Sequence, residues 1–157
     1  DFPSPPVPTQ QVQAAATRYR RSGMSDVRLG LGGHSPHLLG LLHRYQRPVC
    51  VTLPTFCDPV TGVTNWDGGL QWDYGIVGEP VRTSHYAGHH AVCVTGYIPA
   101  NNAPLGGYFV VRNSWGSEWG QEYQTTPAAY PRIPVAGYGL VSVAYIDRYL
   151  HEICVVS

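Results

Sequence analysis

A pair of histidines opens one strand-like run of this chain, GHHAVCVTGY (88–97), and an asparagine closes the next, GGYFVVRNSWGSEWG (106–120). Brought side by side, an imidazole and a side-chain amide make two thirds of a Cys-His-Asn unit. In such a unit the thiolate is the nucleophile, and a neighbouring imidazolium lowers the thiol's pKa. The amide holds the imidazole in one tautomer and orientation without adding charge. The third part is harder to find. Of the four cysteines, Cys50, Cys93 and Cys154 sit in apolar, strand-like runs and read as small buried hydrophobes. Cys57 follows a strand and is the one expected to be exposed. No C-x-x-C pair occurs, so the spacing does not suggest a zinc site. Disulfides stay open.

The elements that must position these residues can be outlined from pattern. Residues 1–8, DFPSPPVP, hold four prolines and predict an extended arm. TQQVQAAATRYRR (9–21) predicts a helix, with Thr9 able to cap it and Gly23 just past its end. A short, strand-like link follows. Ser35-Pro36 starts a second helix, Ser as cap and Pro in the first turn, with Leu38, Leu39, Leu41, Leu42 and Tyr45 as its buried stripe. VCVTL (49–53) predicts a buried strand. Residues 54–87 read as a long irregular loop rich in Gly, Trp and Tyr, of a length that is usually functional. Two strands, 90–97 and 107–112, form a hairpin; 121–136 is a loop; 138–146 and 152–156 supply the last strands. Helices first and an antiparallel sheet or partial barrel afterwards make an α+β domain.

Bulk properties exclude several classes. At 157 residues the chain has the length of one domain. Its formal net charge of zero gives no footprint for nucleic acid or an anionic membrane, and no apolar run approaches the ~20 residues of a membrane helix. All ten basic residues are arginine, which reads most simply as genome composition. The Asp1 start without methionine suggests a processed or excised segment. No compartment is assigned.

GHHAVCVTGY followed by YFVVRNSWGSEWG resembles the second half of the papain-like cysteine peptidases. The tail YGLVSVAYIDRY and the segment LLGLLHRYQRPVCVTL fit the same half, so the resemblance covers about residues 10–156. It implies an α+β fold: the β-rich, right-hand domain of a papain-like enzyme over residues 9–157, preceded by the 1–8 arm. It also implies thiol-dependent peptide hydrolysis. By position, His90 matches the family's catalytic histidine, Asn113 the asparagine that orients it, and Trp115 the tryptophan that covers the pair. His89 is the competing histidine, since side chains alternate along a strand and only one can face the site. Asn113 could instead cap a turn, and Trp115 and Trp119 could be core aromatics. His34, His37, His43 and His85 receive no role, although His85 is near enough in sequence to line a cleft. Trp66, Trp72, Tyr74 and Tyr86 are candidates for a cleft wall or, equally, for loop packing.

The family's nucleophile and its oxyanion-hole glutamine belong to a helical first half, and neither motif occurs in these residues. Three readings follow. The chain is the His/Asn-bearing half of an active peptidase whose cysteine lies on a separate or cleaved chain; it is a pseudo-peptidase kept for binding or structural work; or it serves another acyl transfer such as transglutamination. The first is preferred, because a binding module has no chemical need for His90, Asn113 and Trp115 together. Its partners would be a peptide or protein substrate and a cysteine-bearing helical segment. No metal or organic cofactor is implied.

Overall fold

A computed structural model of the chain describes residues 9–17, 24–28 and 32–156. The proline-rich arm at 1–8 and the C-terminal part of the first expected helix lie outside the described residues. In chain order the elements are α1 (Gln10–Thr17), β1 (Met24–Arg28), α2 (Ser35–Tyr45), β2 (Val49–Cys57), α3 (Gly69–Tyr74), β3 (His85–Pro99), β4 (Gly107–Arg112), β5 (Tyr138–Ser142), α4 (Val143–Tyr149) and β6 (Glu152–Val156). The strands form one antiparallel sheet in the order β1-β6-β2-β3-β4-β5. The fold is α+β. Among the described residues no helix is long and apolar enough to cross a membrane.

Alternation decides the two faces of the sheet. Val49, Val51 and Leu53 of β2, Val92 and Val94 of β3, Val111 of β4 and Ile153 of β6 point to one side and are buried. Leu38 of α2 and Val143, Tyr145 and Ile146 of α4 close over that side. The residues between them point the other way. Cys50, Ala91 and Arg112 are exposed, while Thr52, Cys93 and Cys154 are half-buried. This corrects the expectation that Cys50, Cys93 and Cys154 are buried hydrophobes. They occupy the opposite phase of the strand pleat from the valines that fill the core. Cys57, expected as the exposed cysteine, is half-buried, and Cys50 is the exposed one.

Several boundaries also move. β2 continues to Cys57 across a bulge at Thr55/Phe56, and β3 begins at His85, so strands take both ends of the expected 54–87 loop. The run 138–146 is not a single strand. Ser142 stops β5, and its Oγ accepts the Tyr145 N–H at 2.9 Å, capping α4, while its hydroxyl donates to Glu79 Oε1 at 2.7 Å. Ser35 does not cap α2 by its side chain. His34 occupies the cap position, and the Ser35 N–H and Oγ both donate to Asp147 Oδ1, at 3.1 and 2.8 Å, tying α2 to α4. These bonds hold the Asp147 carboxyl below its ordinary pKa.

The segment after β4 is anchored by backbone contact too close for a side chain. A Cβ on Gly139 would lie 2.0 Å from Gly75 O, and Gly75 itself has φ +70° at the end of α3. Leu140 N–H donates to Gly75 O, Gly120 N–H to Trp72 O, Gly137 N–H to Trp119 O and Asn113 N–H to Gly137 O, each at 2.7–2.9 Å. Trp119 is fully buried beneath this lattice and donates its Nε1–H to Trp66 O at 3.1 Å.

Candidate active site

β3 and β4 deliver the two polar side chains from neighbouring strands. His90 lies opposite Leu53 in the β2–β3 ladder, on the core side of β3. Asn113 follows the last residue of β4 and is 6% exposed. His90 Nε2 stands 2.8 Å from Asn113 Oδ1. The same oxygen accepts the Ser114 N–H at 2.7 Å. That backbone donor fixes the amide's orientation, because a flipped amide would set two donors against each other. Nε2 must then carry the imidazole proton. Nδ1 makes no hydrogen bond among the described residues and is the nitrogen left for proton transfer.

Two indoles frame the ring. Trp115 lies with its centroid 4.7 Å from that of His90, tilted 35°, and Trp66 meets it edge-on at 5.0 Å. Trp66 is fully buried, and its Nε1–H points to Pro54 O at 3.4 Å. Trp115 is 37% exposed and stacks on Trp72 at 6.2 Å. Trp115 therefore packs against the His90 ring and is partly exposed to solvent. Asn113 Nδ2 is buried without a hydrogen-bond partner among the described residues.

The other candidates separate. His89 is exposed on the far face of β3, with Nδ1 2.6 Å from Tyr86 Oη and its ring stacked on His151 at 4.5 Å. It has no contact with Asn113. Of the cleft-wall candidates, Trp72 adjoins the site through Trp115, whereas Tyr74 packs in a satellite cluster with Ile76 and Leu140. Tyr86 belongs with His89, and Trp66 is core rather than wall. Sequence reading missed the Trp66–His90 contact. The two are separated by a short helix, loops and the start of β3, and the contact is tertiary, so no local signal could have paired them.

Cys50 and Cys93 are opposite each other on β2 and β3, with their sulfurs 3.4 Å apart. Partial desolvation, the hydrogen bond with Cys93 and the neighbouring thiols Cys93 and Cys154 push Cys50 up to about 11. That is the reverse of what a thiolate nucleophile needs. The pleat also separates them from the imidazole, since Cys93 is three residues beyond His90 on the opposite face. A cleft of about 450 Å³ lies beside the pair, lined by Cys50, Ala91, Cys93, Arg112, Asn113 and Ser114.

Residues 58–126 match the family model of the papain family cysteine protease. That stretch is papain-like. It contains both His90 and Asn113, along with Trp66, Trp72 and Trp115. No curated protein matches the chain. The papain-like stretch begins after β2 and ends before β5, so the α2 helix, the outer strands and α4 lie beyond it.

Proposed function

We propose that this chain is the His/Asn-bearing half of a papain-like cysteine peptidase, acting on peptide bonds through a thiolate supplied by a separate or cleaved chain. The observation that carries the proposal is the 2.8 Å contact between His90 Nε2 and Asn113 Oδ1, which leaves Nδ1 available. The incoming thiol gives its proton to Nδ1, and the resulting ion pair presents a thiolate. The thiolate attacks the scissile carbonyl. His90 returns its Nδ1 proton to the leaving amine as the acyl-enzyme forms, then serves as base for the water that hydrolyses it. Asn113 keeps Nε2–H directed throughout, and Trp115 shields that hydrogen bond. Donors for the oxyanion come from the thiol-bearing half.

The chain's own cysteines support an external nucleophile. Cys50 is held as the thiol, and Cys93 and Cys154 share its face of the sheet, away from the imidazole. The test is to treat the native assembly with a thiol-directed epoxide probe and separate its chains under denaturing conditions. The label is expected on a cysteine other than Cys50, Cys57, Cys93 and Cys154. Inhibitor-sensitive cleavage by the lone chain, lost on Cys57→Ser, would overturn the assignment. A native chain with no thiol-bearing companion and no activity would favour the pseudo-peptidase.

A further inference from the structure

We propose that Cys50 and Cys93 form a cross-strand disulfide under oxidising conditions, a redox-responsive clasp on the wall of the cleft beside Asn113. Their place in the ladder suits a bridge. Directly opposed antiparallel residues have Cα atoms roughly 4.5–5.5 Å apart, inside the span of roughly 4.4–6.8 Å that disulfides occupy. The two sulfurs already touch at 3.4 Å, so closure to about 2.05 Å needs only side-chain rotation. Cys50 is exposed, which gives a small oxidant access. Both thiols line the same 450 Å³ cleft as Asn113 and Ser114. The inference stands apart from the peptidase reading, since it needs only this chain.

The chemistry is thiol–disulfide exchange with a low-molecular-weight disulfide as oxidant. One thiol of the pair loses its proton and attacks one sulfur of the oxidant, whose S–S bond breaks, and the first small thiolate departs and takes up a proton. The other protein thiol then loses its proton and attacks the sulfur of the mixed disulfide that belongs to its partner, expelling the second small thiol. Two protein thiols are oxidised, and one small disulfide is reduced to two thiols. Cys154 lies opposite Cys50 on the other flanking strand and is the natural competitor.

The test uses the fully reduced chain and oxidised glutathione. After titration the thiols are alkylated under denaturing conditions, counted by intact mass and mapped by peptide. The free-thiol count is expected to fall from four to two, with one peptide pair joining Cys50 to Cys93. Cys154→Ser should leave that bridge intact, and Cys93→Ser should abolish it, leaving Cys154 as the one partner opposite Cys50. A dominant Cys50–Cys154 bridge, glutathione adducts without a bridge, or four surviving thiols would overturn the proposal. So would the same bridge distribution from chain unfolded in urea, because the preference would then owe nothing to the ladder. If Cys93→Ser fails to fold, the wild-type map decides alone.

Discussion

Asn113 Oδ1 accepts from the Ser114 N–H and faces His90 Nε2, so the neutral imidazole is expected as the Nε2–H tautomer. Long-range nitrogen–proton NMR on the isolated chain reads this directly. Asn113→Ala should convert the signal to a mixture of tautomers; an unchanged spectrum would deny the asparagine its orienting role. If the proposed two-part peptidase is reconstituted, His90→Ala should lower its kcat by about 10²–10⁴-fold or more, as loss of a general base does. Asn113→Ala should cost less, because it supplies orientation rather than a proton. His89→Ala should leave kcat near wild type, given that its ring is engaged with Tyr86 and His151 instead. The tryptophans divide by exposure. Trp119→Ala removes a fully buried indole and should destabilise by about 3–5 kcal/mol. Trp115, 37% exposed, should cost clearly less in urea denaturation while still slowing turnover. Equal losses from the two would contradict the packing described.

At the scale of elements, the sequence carried the strands better than their ends. GYFVVR and EICVV were legible as β4 and β6 because short, apolar, β-branched runs bounded by polar or glycine residues leave few alternatives. The tail VSVAYI was not, since its β-branched and aromatic residues favour a strand until Ser142 caps a helix. That cap predicts that Ser142→Ala costs about 1 kcal/mol in thermal or urea unfolding. The facing of Cys50 and Cys93 was legible in principle: V-C-V-T-L and A-V-C-V both alternate, and whichever phase holds the valines excludes the cysteines from the core. What could not be read was tertiary, such as Trp66 against His90 or Ser35 against Asp147. The α2–α4 tie has a pH signature. Asp147 titrates lower in the folded chain than unfolded, so its contribution is complete above the unfolded value and is lost as pH falls through the folded one. Urea midpoints of wild type and Asp147→Asn should therefore differ at neutral pH, begin to converge only below about pH 4, and meet once the folded carboxyl is protonated.

Among the described residues, one sheet face is covered along its length, and the other is covered at β4–β5 by the cluster of Ile76, Tyr108 and Leu140 but open at β2–β3. α2 and α4 close the first, whereas Cys50, Ala91 and Arg112 remain exposed on the second, beside the cleft that reaches Asn113. A thiol-bearing half delivering its nucleophile would have to approach His90 from the opposite side of β3, past the partly exposed Trp115. The expectation at this scale is that the lone chain lacks thiol-dependent cleavage of a mixed peptide library. On the proposed two-part reading, addition of a cysteine-bearing half should give cleavage and protect the backbone around His90 and Trp115 from hydrogen exchange. Restored activity without such protection would place the contact elsewhere.

β3 is a single strand of 15 residues, and it carries His90 on one face and Cys93 on the other. Asn113 rides separately, just past the end of β4. Sliding β3 against β4 by one residue would carry His90 about 3.3 Å along the strand axis, far beyond what a hydrogen bond tolerates. The imidazole–amide gap thus behaves as a vernier for the shear between two strands. Its setting depends on the β3–β4 register alone, with no moving loop required.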